Sequence, residues 1–162
     1  MRICLLVADA ARARIYTYEQ LHEPGGPHEV MREECDLVDL ARRQRPSELF
    51  SDGAGGDHSG RHGYSFDDHR QGHLDQLDAN FAKQIAADVE RVMRDHGYHA
   101  LIVVASSRML GELRDSLESL RRRVTITELE KDFTKLATAE LRDHLAALEL
   151  LPPRPRLAFA NR

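Results

Sequence analysis

Two uninterrupted apolar runs, ICLLVA at 3–8 and ALIVVA at 100–105, constrain the fold more than anything else in the sequence. Each is too short for a core helix, and each reads as a central strand buried on both faces rather than one alternating between core and water. A sheet built around such strands needs helices packed on it to keep them dry.

The neighbouring segments supply the other elements. ARIYTYE at 13–19 is β-branched and aromatic, as suits a second strand in a hairpin with the first. EPGGP at 23–27 is a turn by its glycine and proline chemistry, and HEVMREECDL at 28–37 is a third, more polar strand nearer the edge. Leu74, Leu77, Phe81, Ile85, Val89 and Val92 recur at three- and four-residue spacing and mark a long amphipathic helix ending near DHGY, with Gly97 as its C-cap. After the second apolar run, Ser106 or Ser107 can cap a helix whose inward stripe is Leu110, Leu113, Leu117 and Leu120. VTITEL at 124–129 alternates as a strand, and a last helix capped by Thr138 carries Leu141, Leu145 and Leu148. The expected order is β-β-β-α-β-α-β-α, an α/β domain with a mixed sheet, compatible with a ribonuclease-H-like sheet.

A chain of 162 residues fits one domain, assigned to 1–151, with the proline-rich 152–162 as a tail that is disordered or docked through Leu157 and Phe159. A 41% hydrophobic, 31% charged composition excludes a disordered chain, and no apolar run approaches the length of a spanning helix. The N-terminus turns charged too early for a secretory segment, so a cytoplasmic location without membrane contact is expected. Cys4 and Cys35 lack metal or redox spacing and read as reduced thiols in or near the core. With a net charge of −4, nucleic-acid contact has to rely on local clusters: ARAR at 11–14, RRQR at 42–45, RRR at 121–123 and RPR at 154–156.

From Ala41 to Gly72 neither structural period is visible, and the stretch to His73 is rich in glycine, histidine, aspartate and arginine. His58, His62, His69 and His73 with Asp57, Asp67, Asp68 and Asp75 offer metal-ligand atoms, but interleaved glycines make a poor preorganised cage, and no metal or other cofactor is assigned. GAGG at 53–56 could present successive N–H groups to phosphate, yet it lacks the P-loop ending. A mobile arm whose Arg61, Arg70 and histidines meet phosphates or bases is the third reading. Elsewhere, SSR at 106–108 lacks the nucleophile-elbow pattern. Asp9 and Asp132 each follow a strand and can gather at one rim with Lys131, either as turn residues and ion-pair partners of Lys131 or Arg14, or as carboxylates for metal-dependent hydrolysis.

VADAARARIY at 7–16, RPSELFSDGAGGDHSGRHGY at 45–64, LIVVASSRMLGELRDSL at 101–117 and ELEKDFTKLATAELRDHL at 128–145 together resemble the bacterial host-attachment protein family, over nearly the whole chain except the tail. That family is in turn similar to the middle domain of archaeal and eukaryotic peptide-chain release factors and related ribosome-rescue factors, which has a ribonuclease-H-like fold. The resemblance implies that 41–73 corresponds to the loop whose Gly-Gly-Gln tip enters the peptidyl-transferase centre. Here Gly55 and Gly56 are followed by Asp57, and a carboxylate beside RNA is unsuited to the glutamine's part in ester hydrolysis. The resemblance therefore implies ribosome or structured-RNA binding without chemistry, through Arg12, Arg14, Gly55, Gly56, Asp57, His58, Arg61 and His62. Two alternatives stay open: a metal-dependent hydrolase or nuclease using Asp9, Asp132 and loop histidines, and a protein-interaction factor using the tail and an exposed sheet edge. Neither ligand nor oligomeric state follows from the sequence.

Overall fold

The computed structural model describes residues 1–24, 26–43 and 65–155. β1 (Arg2–Ala8), β2 (Arg12–Glu23) and β3 (Gly26–Val38) form an antiparallel meander, followed by the short α1 (Leu40–Arg43) and the long α2 (Ser65–His96). Then come β4 (Ala100–Ala105), α3 (Ser107–Ser116), the short α4 (Glu118–Arg121), β5 (Thr125–Glu130) and α5 (Thr138–Ala147). The sheet is mixed and five-stranded, in the order β3-β2-β1-β4-β5. β2 runs antiparallel to both of its neighbours, whereas β1, β4 and β5 are mutually parallel.

The two apolar runs occupy adjacent central positions, Leu5 opposite Ile102, and both of their faces are covered. Cys4, Leu6, Leu101 and Val103 pack under α2 and α3 with Ile85, Val89 and Leu113. Ile3, Leu5, Val7, Ile102 and Val104 pack under α5 with Leu141 and Leu145. β3 lies at the edge, as its polarity indicates. A bulge where Ile15 faces Cys35 but Tyr16 faces Glu33 leaves Glu34 as the extra residue. Met31 accordingly joins one core and Cys35 with Leu37 the other, although all three have odd numbers.

Gly97 closes α2 at φ +65°, with Tyr98 N–H donating to Met93 O at 2.9 Å and Gly97 N–H to Arg94 O at 3.2 Å, the two bonds of a Schellman turn. Other boundaries differ from expectation. α2 begins at Ser65 rather than near Leu74, so residues 65–73, expected in the loop, are helical. Residues 69–73 are exposed and therefore carry no apolar period; a Gln71–Asp75 side-chain hydrogen bond of 2.9 Å across one turn supports them instead. The Leu110–Leu120 stripe is buried as expected but is split at Leu117, whose φ and ψ of −97° and 7° leave the helix, so α3 and α4 are separate. Leu148, expected inside, is 42% exposed, because α5 stops there and Leu151 enters the core in its place. Among the described residues the element order thus holds two four-residue helices beyond the expected eight elements.

The start of the tail is docked. Arg142, 4% exposed, donates to Pro152 O at 2.8 Å and to Glu29 on β3, and Arg154 pairs with Asp143 at 2.7 Å. Leu157 and Phe159 lie outside the described residues. No helix among the described residues is long and apolar enough to cross a membrane.

Candidate functional site at the polar rim of the sheet

Because β1, β4 and β5 are parallel, their C-terminal ends reach one edge, the usual place for ligands in open α/β sheets. Lys131 N–H donates to Ala105 O at 3.1 Å, bringing the residues after β5 level with the end of β4. The reversed β2 starts at this edge and β3 ends there, tied by Asp39 N–H to Ala11 O at 2.9 Å. At about 1.5 Å per residue the 32 residues of α2 reach about 48 Å, roughly twice the length of the six- and seven-residue central strands it covers.

Asp9 and Asp132 meet at this rim. Asp9 Oδ1 accepts the N–H groups of Ala11 (2.8 Å) and Arg12 (2.7 Å), a turn built by its own side chain. Asp132 Oδ1 likewise accepts Thr134 N–H at 3.1 Å. The Thr134 hydroxyl then lies 2.7 Å from Asp132 Oδ1 and 3.1 Å from Asp9 Oδ2. One hydroxyl hydrogen thus serves two carboxylates, and Thr134 itself is buried. The expected gathering is present, while the expected pairing of Asp132 with Lys131 or Arg14 is not. Lys131 is exposed, and Arg14 is engaged elsewhere.

Arg14 is 8% exposed. It donates twice to Glu33, at 2.9 and 2.7 Å, and again to Leu136 O at 2.6 Å and Thr134 O at 3.3 Å. The Glu33 hydrogen bonds hold its pKa above the ordinary guanidinium value. Expected as an RNA contact, Arg14 is turned inward as a strut beneath the 134–136 turn. Arg12 makes a two-bond pair with Asp36 at 2.8 and 2.6 Å, which raises its pKa too, although its side chain keeps 32% exposure.

A second cluster was not expected. Asp78 on α2 has no exposed surface, and its Oδ2 accepts Arg108 Nε from the first turn of α3. Arg108 also bonds Asp75. Arg42 on α1 brings its Nε to 3.7 Å from Asp78 Oδ1. Asp78 Oδ1 and Arg42 Nη1 are buried without hydrogen-bond partners among the described residues, so this third member is held by charge rather than by a formed hydrogen bond. The cluster joins α1 and α2, the helices flanking residues 44–64, to the start of α3. A sequence signal existed: Asp78 stands in the apolar register of α2, three residues before Phe81 and seven before Ile85.

One of the two serines takes the expected cap position. Ser106 occupies the N-cap of α3 with no side-chain hydrogen bond, and Ser107 donates its hydroxyl to Glu130 at the end of β5. Ala137, not Thr138, is the N-cap of α5, and its N–H is met by Glu140 at 3.0 Å. Gly55, Gly56, Asp57, His58, Arg61 and His62 lie outside the described residues; His69 and His73 lie on α2. Among the described residues no three His, Cys, Asp or Glu side chains are grouped to hold a metal ion. Chemically, the rim offers two carboxylates on one hydroxyl, ringed by arginines already set against acids.

A family model described as "Protein required for attachment to host cells" matches residues 4–145, from β1 into α5. No curated protein matches the chain.

Proposed function

The chain belongs to the family of proteins required for attachment to host cells, and from that premise we propose that it is a non-enzymatic, cytoplasmic protein that binds ribosomes or structured RNA, acting in ribosome rescue or dormancy. The observation that carries this reading is the state of the rim. Asp9 and Asp132 are occupied by turn amides and Thr134, and Arg12, Arg14, Arg42 and Arg108 each face a carboxylate. Such a rim is organised to hold a shape rather than to turn over a substrate. The strand order, with β2 alone reversed, supports a ribonuclease-H-like sheet of the release-factor middle-domain kind. Fold likeness alone carries no activity.

In this reading the contacts with RNA come from Gly55, Gly56, Asp57, His58, Arg61 and His62, in the segment whose flanking helices meet at Asp78. Arg12 exchanges Asp36 for a phosphate, and Arg14 keeps the rim in place. Co-sedimentation with ribosomes through sucrose at low and moderate salt, beside a variant lacking residues 53–63, tests it. Migration with ribosomal particles that weakens with salt and disappears with the deletion is the expected result. Both proteins remaining at the top of the gradient at both salts overturns it. Stoichiometric metal in the purified protein, lost in Asp9→Ala, points instead to a hydrolase at the rim.

A further inference from the structure

At the edge of the sheet opposite the rim, the last turn of α2 and the passage from α4 into β5 enclose a cleft of about 360 Å³, within the roughly 300–1,000 Å³ usual for ligand sites. Its floor is apolar: Met93, Leu120, Val124 and the ring of Tyr98. Two arginines, Arg94 and Arg123, line the cleft together with His99 and one acid, Glu90. Arg94 and Arg123 are 73% and 66% exposed, and their nearest acids, Asp95 and Glu90, stand 3.8 and 3.9 Å away, beyond hydrogen-bonding distance. Glu90 already accepts the Ser119 hydroxyl at 3.0 Å. Arg12, Arg14 and Arg142, by contrast, are tightly paired at 2.5–2.7 Å, whereas Arg42 and Arg122 stand 3.7 Å from their acids. Two loosely held guanidinium groups beside a dry floor are complementary to an apolar side chain flanked by carboxylates.

A nucleic-acid base fits less well. The Tyr98 hydroxyl is spent on Glu19 at 2.6 Å, and the Arg2 guanidinium lies 4.7 Å from the Tyr98 ring centroid. One face of the ring is thereby covered, and Met93, Leu120 and Val124 offer no group to read a base edge. We infer that this cleft docks an acidic segment of a partner protein that presents a leucine or phenylalanine. The inference does not rest on ribosome binding, and the 53–63 deletion should leave it intact.

The test is a titration of the full ¹⁵N-labelled chain with three probes: the peptide acetyl-Asp-Glu-Leu-Phe-Glu-Asp-amide, the same peptide with Ser-Gly at its centre, and an oligouridine RNA. The first peptide alone should shift the amide signals of Gly97, His99 and Val124. The exposed pair Arg94→Glu/Arg123→Glu should weaken that binding by at least about tenfold while leaving signals distant from the cleft in place. Three results would overturn the inference: no shifts at those amides up to about 1 mM peptide, equal response to the Ser-Gly peptide, or shifts with RNA but not with peptide. Unchanged affinity in the double variant would do so as well.

Discussion

Asp78 shows how one side chain can fix the geometry of a rim. Its carboxylate has no exposed surface and is balanced by Arg108, 43% exposed, and by Arg42 at 3.7 Å. Breaking a buried pair leaves charge without compensation, which costs about 3–5 kcal/mol when both partners are dry and less here because Arg108 reaches solvent. Asp78→Asn should therefore lower stability by about 2–3 kcal/mol, roughly 4–12 °C in Tm for a chain of this size, read by thermal circular dichroism. Arg108→Gln should cost more, since it leaves the Asp78 carboxylate fully buried with only Arg42, at 3.7 Å, to balance it. An unchanged Tm in Asp78→Asn would mean that the cluster contributes nothing to the fold. At this scale the sequence was half legible. Asp9 and Asp132 could be assigned to one rim because each comes within two residues of a strand's end. Arg108 and Arg14 could not, because their partners lie 30 and 19 residues away, and only the folded topology brings such pairs together.

At the scale of elements, α5 ends unusually. Glu149 takes φ +59°, with Leu150 N–H donating to Leu145 O at 2.9 Å and Glu149 N–H to Ala146 O at 3.0 Å. This is the same Schellman turn that Gly97 forms, with a glutamate where glycine is favoured. Glu149→Gly should stabilise by about 0.5–1 kcal/mol, after the extra entropy glycine gives the unfolded chain, and raise Tm by roughly 1–4 °C. A fall in Tm would show that the glutamate side chain contributes more than its backbone strain. The missing glycine signal is also why the sequence put Leu148 inside. α5 is held to the edge strand by Arg142 and Glu29, at 2.9 and 2.5 Å. Burial pushes the Glu29 pKa up, but hydrogen bonds from Arg142 and Tyr18 outweigh it and leave the value below the ordinary 4.5. A carboxylate that binds its proton less tightly in the folded state stabilises the protein above its unfolded pKa. That contribution is lost as pH falls through the folded value. Urea midpoints measured between pH 6 and 3 should accordingly fall less steeply in Glu29→Gln than in the parent protein; parallel curves would remove Glu29 from the acid response.

For the whole molecule, the sheet divides two apolar layers, and Cys4 lies on the central β1, on its α2 and α3 side. Burial pushes its thiol pKa up to about 12, so at pH 8 it is neither accessible nor ionised. Cys35 sits on the edge strand, half-buried, with its sulfur 3.2 Å from Arg91 Nη2. The two thiols therefore report different events. An aromatic disulfide reagent at pH 8 should label Cys35 in the native protein within the mixing and reaction time, and Cys4 only when the chain opens. Because β1 is covered on both faces, exposing Cys4 requires separating a helix layer from the sheet, which removes most of the core. Its labelling rate should rise with urea along the slope of the global transition followed by circular dichroism. If Cys4 labels quickly without urea, or with a much shallower slope, β1 is reached by a local opening and the two layers are not one cooperative unit. This division was legible in the sequence, since ICLLVA and ALIVVA have no polar face to leave in water.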